Sequence, residues 1–228
     1  MTIDRRVSRR EFNTLLAGTG VGLSLAPFGV VRAEAKKLKV GVLLPRSGTQ
    51  ALIGQSCFKG AELAPAVIKQ LLGVDIEILS ADTESNADVA RSRAERLIQD
   101  GAHVLVGAFD SGHTSAVAQV AEQRGIPHII NIAGAPQITE QGYKYVFRNF
   151  PPAPELVKNG LSLLNDIFAT SHTTPKSAVF MHVNDTFGQS MAKGVLANLP
   201  ALKLPFTISE TIAYDPAAKE LSLEVAKA

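Results

Sequence analysis

Apolar positions between Leu38 and Phe150 come in short runs separated by stretches of helical spacing. Leu38–Leu44 is an apolar run, as expected of a parallel strand buried on both faces, and Pro45-Arg46-Ser47-Gly48 ends it. Phe58–Leu72 has helical spacing with Leu63, Val67 and Leu71 on one face and Gly73 as its stop; Pro65 predicts a kink there unless the helix begins later. Val74–Ser80 alternates as a second strand, and Asp88–Gln99 follows as an amphipathic helix closed by Asp100-Gly101. His103–Gly107 reads as a third strand, Thr114–Arg124 as a third helix, Pro127–Ile132 as a fourth strand and Tyr145–Phe150 as a short extended segment. Strict strand–helix alternation predicts an α/β fold with a parallel sheet covered on both faces.

Pro151-Pro152-Ala153-Pro154 breaks the pattern, and no helix is expected across it. The alternation then restarts with helix Glu155–Phe168, strand Ser177–Val183, helix Phe187–Leu199, strand Pro205–Ile212 and a helix opening at Lys219. The reading is therefore two Rossmann-like lobes, 36–150 and 151–228. The second is incomplete, because two strands leave open edges and an uncovered face. The chain reads as truncated.

Residues 1–35 are patterned differently. Ser8-Arg9-Arg10-Glu11-Phe12 precedes the weakly apolar Leu15–Val31 and the small-residue site Ala33-Glu34-Ala35, which reads as a twin-arginine signal peptide for export to the periplasm. Four glycines and a proline make Leu15–Val31 a poor membrane span. Gly18-x-Gly20-x-Gly22 follows no strand, so it is not a nucleotide loop.

Charge narrows the partners. The sequence has 23 basic and 21 acidic residues; five arginines and three acids lie in the first 35, leaving 18 of each. A neutral mature chain has no electrostatic footprint for nucleic acid or anionic lipid. Cys57 is the only cysteine and leaves no internal disulfide to form.

Ligands of open α/β sheets bind beyond the carboxyl ends of the strands. Four such loops arise here: Arg46–Gly54, which holds Ser47 and Ile53; Ala81–Asn86; Ala108–Thr114; and Ala133–Thr139. In the third, backbone N–H groups and the hydroxyls of Ser111 and Thr114 suit an anion such as a carboxylate, although Ser111 is equally read as a helix cap. Asp110, Ser111 and His113 suggest a hydrolase, but sequence neighbours rarely form a triad and no Gly-x-Ser-x-Gly elbow occurs. The scattered histidines have no zinc spacing, and Asp82-Thr83-Glu84 lacks the density of a calcium loop. Neither metal, cofactor nor catalysis is expected. At the matching turn of the second lobe, Phe187 either covers a ligand or anchors its own helix.

These residues resemble a known family. Leu44-Pro45-Arg46-Ser47-Gly48, Ile53-Gly54-Gln55, Gly60-Ala61-Glu62-Leu63-Ala64, Ala81-Asp82-Thr83, Val106-Gly107-Ala108, Gly125-Ile126-Pro127, Tyr145-Val146-Phe147-Arg148 and Asn184-Asp185-Thr186-Phe187-Gly188 occur in the order of the leucine-binding-protein-like (type I periplasmic) substrate-binding proteins of ABC transporters. Tyr214-Asp215-Pro216 is similar to their second lobe. The resemblance implies two lobes joined by a hinge, a small ligand between them, a permease as membrane partner, and a monomer. The implied ligands are branched-chain or other amino acids, amides and aromatic acids.

The resemblance also assigns residues. Ser111 matches the serine that holds the ligand carboxylate, and Ile132 and Gly134 fall where a small residue and a threonine hold the amino group. Ile53 falls at a pocket-wall aromatic, while Phe187 keeps the aromatic of the second lobe; Asp110 stands where one disulfide cysteine would be. Half a clamshell cannot close, so weak or no binding is expected of the 228-residue chain. The alternatives are an exported sensory ligand-binding domain and an exported α/β hydrolase.

Overall fold

A computed structural model describes residues 37–228; the export signal read at 1–35 lies outside the described residues. Five strands form one parallel sheet: β1 (Leu38–Leu44), β2 (Ile76–Asp82), β3 (Val104–Gly107), β4 (His128–Ile130) and β5 (Val146–Arg148), in the order β2-β1-β3-β4-β5. The strand alternation of β1 divides its side chains between two faces. Leu43 joins Leu105, Leu97, Ala94 and Val117 in a dry core beneath α2 (Ala87–Gln99) and α3 (Ser111–Arg124). Val40, Val42 and Leu44 point the other way, toward α1 (Ala51–Leu72). This is the expected two-faced layer.

Three local expectations change. Helix α1 starts seven residues before Phe58 and runs through Pro65. It begins close under β1 because Gly54 lies on the Pro45 carbonyl, where a Cβ would collide. The stripe Leu63, Val67 and Leu71 faces solvent, with Leu71 73% exposed. Cys57, Ala61, Ala64 and Ile68 turn to the sheet instead, leaving an apolar crevice of about 340 Å³. An apolar arc wider than the strip a sheet can cover does not declare in sequence which half will dock.

The proline stretch also behaves differently. Pro152 is the N-cap of α4 (Ala153–Ser162), and Pro154 sits in its first turn, where a missing N–H breaks no helical bond. The single helix expected over Glu155–Phe168 is two, α4 and α5 (Leu164–Ser171), meeting at Leu163. Strands β6 (Ser177–Val183) and β7 (Thr207–Tyr214) pair in parallel as a separate sheet, with an irregularity between Ala178 and Val179. Helix α6 (Thr186–Leu202) leaves β6 and packs on α4, where Gly194 lies against Pro154 and Val157. Helix α7 (Ser222–Lys227) is one short segment.

Candidate ligand-binding site

The carboxyl end of β3 sets the first wall. Gly107, at φ 128°, lies so close to β1 that a Cβ would strike the Leu43 carbonyl. Phe109 follows at φ 81°, a left-handed conformation that costs a non-glycine residue of order 1–3 kcal/mol. Asp110 then caps α3: its Oδ1 accepts the N–H of Gly112 (2.7 Å) and of His113 (3.3 Å). The cap is therefore Asp110, not Ser111. Ser111 is the first helical residue, and its Oγ accepts the Ala135 N–H (3.2 Å), tying this loop to the one after β4. Thr114 is fully buried; its Oγ1 accepts the Ala108 N–H (3.1 Å), so its hydroxyl holds the loop rather than facing a ligand.

Beneath the loop lies His128, buried in the centre of the sheet. Its Nε2 donates to the Gly107 carbonyl (2.8 Å), while Nδ1 has no partner. Burial lowers its pKa to about 4, against a smaller upward pull from that carbonyl. The β4 loop is fastened by Arg148, whose guanidinium donates to the carbonyls of Ala133 and, at 2.6 Å, Ala135.

The opposite wall comes from β6. Asp185 caps α6 by accepting the Gly188 N–H (2.7 Å), and the Asn184 N–H donates to the Tyr214 carbonyl (2.7 Å), which brings the end of β7 alongside. Burial raises the Asp185 pKa; the Gly188 N–H opposes this and the charge of Asp110 adds to it. The walls meet at Gly134. A Cβ there would stand 3.2 Å from the Phe187 ring, and the Gly134 carbonyl accepts the Ala153 N–H at 2.7 Å. Between the walls is a cavity of about 370 Å³.

Four of the residues read from sequence line this cavity: Ser111, Ile132, Gly134 and Phe187. Three do not. Thr114 is turned inward, as described. Ser47 is exposed and builds its own loop, donating its N–H to Asp82 (3.2 Å) and accepting from Ser85 Oγ (2.8 Å) at its carbonyl. Ile53 sits 44% exposed on the first turn of α1, away from the lining. Thr49 and Gln50 line the cavity instead, because the earlier start of α1 moves the loop contribution toward the strand end. Asp110, Asp185 and Tyr214 also line it. The two acids had a legible signal: each is a helix N-cap candidate at a strand end, the place where caps and ligands coincide.

The Asp82 carboxylate organises the neighbouring loop. Burial would raise its pKa, but the N–H groups of Glu84, Arg46 and Ser47 together hold it below the ordinary carboxylate value. The hydrolase arrangement does not assemble: His113 Nδ1 has no hydrogen bond and stays 4.0 Å from Asp110, and Ser111 Oγ is engaged by Ala135. Among the described residues no His, Cys, Asp and Glu cluster is placed to hold a metal, and no helix is long and apolar enough to cross a membrane.

The family sequence profile of periplasmic binding proteins matches residues 37–228. The chain belongs to the periplasmic binding protein family. This member is 32% identical over 157 residues to Leu/Ile/Val-binding protein homolog 8 of Brucella abortus, a match covering 68% of this chain and 39% of that one. A solute-binding protein of an ABC transporter from R. palustris, solved in complex with benzoate, is 30% identical with TM-score 0.70, over 84% of this chain and 52% of that one. A leucine-binding protein from Thermotoga maritima shares the fold at 21% identity, TM-score 0.71, over 83% of this chain and 52% of that one. This periplasmic binding protein thus spans about half the length, or less, of the relatives it matches.

Proposed function

We propose that this chain is the ligand-binding portion of an extracytoplasmic solute-binding protein that feeds an ABC importer. One observation carries the reading: a single cavity is bounded by the strand ends of both sheets, with the first turns of α3 and α6 facing it. A solute held there touches both lobes, 36–150 and 151–228, so its binding energy favours their approach, and a permease can recognise the approached form. The binding step needs no bond making or breaking. The ligand class is a small carboxylate: an amino acid, an amide or an aromatic acid. Ligand-observed NMR of the protein against that panel tests the reading, since it registers weak, fast-exchanging solutes. Weak saturation transfer to at least one class is expected, and its loss on Phe187→Ala; transfer that survives Phe187→Ala undiminished overturns the reading.

Periplasmic delivery by the twin-arginine route belongs to the same proposal and rests on Arg9 and Arg10. Replacing both with Lys should leave the precursor in the cytoplasm. Undiminished export of the double variant would refute the route.

A further inference from the structure

We propose that His128 is a positioning residue for the solute: its imidazole holds the Gly107 carbonyl and, through it, the cavity wall formed by Phe109, Asp110 and Ser111. The inference rests on the solute-binding reading and deepens it by naming what sets the shape of the first wall. Strand register supplies the reason. On its β1 side Gly107 is paired with Leu43, but the pairing of β3 with β4 ends at Val106 and Ile129, one residue short of it. Residues two apart on a strand share a face of the sheet. His128 is in register with Leu105, so its ring reaches along the strand to the carbonyl two residues further on, where Nε2 donates at 2.8 Å. A side chain thus stands in for the next backbone rung.

The wall needs such a hold. Gly107 and Phe109 both have positive φ, and for Phe109 that conformation persists only where the surroundings enforce it. The loop's other side-chain ties run to its own helix or to the β4 loop: Ala108 N–H to Thr114, Asp110 to the Gly112 and His113 N–H groups, Ser111 to the Ala135 N–H. The His128 bond fastens the turn to the sheet itself. A second observation separates this role from ordinary packing. Among the described residues Nδ1 has no partner, so the bond to Gly107 is the one side-chain hydrogen bond that a histidine, rather than an aliphatic residue, brings to this buried position. Burial keeps the ring neutral, so a single N–H is available at neutral pH and the carbonyl fixes it on Nε2. Deprived of that donor, the Gly107 carbonyl would be left unsatisfied, a penalty the loop relieves by moving.

Two substitutions test this. His128→Leu fills the space without a donor, whereas His128→Gln keeps an N–H at similar reach. Amide hydrogen exchange at neutral pH is followed at Ala108, Gly112 and His113 of the loop, and at Leu43 and Leu97 of the core. The leucine variant should speed the loop amides about tenfold, the weight of one buried hydrogen bond, and glutamine should restore the wild-type rates. Saturation transfer to benzoate or isoleucine should fall with leucine and return with glutamine. Core amides that speed up while the loop amides keep their rates would reveal a merely structural residue and overturn the inference. A glutamine variant no better than leucine, or solute transfer undiminished by leucine, overturns it too. Imidazole nitrogen shifts of the wild-type protein give a check that needs neither variant to fold: a protonated Nε2 with bare Nδ1 is expected, and the reverse tautomer refutes the proposal. Wild-type silence toward both probes bears on the solute-binding reading alone, and the exchange comparison still decides for or against His128.

Discussion

Acidification should weaken the fold through one side chain, His128. Its register partners are Leu105 on β3 and Val146 on β5, and it has no exposed surface. The neutral ring satisfies Nε2 through the Gly107 carbonyl and leaves Nδ1 as a bare acceptor. Protonation would place a second N–H, and a charge, where no acceptor stands. The folded pKa is about 4 against 6.5 for the free side chain. Between those values the unfolded chain binds the extra proton, so stability is complete above about pH 6.5 and declines as pH falls toward 4. Each pH unit in that window costs about 1.4 kcal/mol, so lowering pH from about 7.5 to about 4.5 removes about 2.5 kcal/mol. Urea unfolding at several pH values would measure this, with His128→Leu as reference to subtract the carboxylates and the other histidines. Leucine is expected to lower stability at neutral pH, because the Gly107 carbonyl loses its donor, yet to flatten the slope. Parallel loss of stability in both proteins would refute this role for His128. The functional link is local: the Gly107 carbonyl held by His128 precedes Phe109, Asp110 and Ser111 of the cavity wall.

Two further outcomes follow from packing. Gly134→Thr puts a branched side chain into the space of the Phe187 ring and should cost about 1–3 kcal/mol. Adding Phe187→Ala should recover much of that loss, and a double-mutant cycle by thermal unfolding would detect coupling or its absence. Leu71→Lys, on the exposed side of α1, should change stability by less than about 0.5 kcal/mol, whereas Leu105→Ala in the buried core should cost about 2–5 kcal/mol. Equal losses in denaturant titrations would contradict the orientation of α1.

Much was legible from the chain alone. Apolar runs bounded by Gly, Pro and polar loops located the strands, and Ser177–Val183 coincides with β6 to the residue. The alternation of strand and helix required a parallel sheet, because the connections are too long for hairpins. Helix limits were less accessible. Asp110 and Ser111 are both good caps, and only backbone geometry decides which oxygen reaches the N–H groups. Pro154 looked like a helix breaker but lies in the first turn, where its missing N–H costs nothing.

The site divides along the same line. Strand-end position nominated Ser111 and Phe187, since loops after parallel strands converge on one edge of the sheet, whereas Ile132 and Gly134 came from the family resemblance. Whether a side chain faces the cavity depends on a single backbone turn, and this separated Thr114 and Ser47, used up by their own loops, from Gln50 and Asp110. Sequence order carries local periodicity, so it determined the elements and the edge where they open. The meeting of Gly134 with Phe187, and the lining of one cavity by Asp110 and Asp185, join residues more than 50 positions apart in the chain; only the packing of α4 and α6 against the β4 loop brings them together.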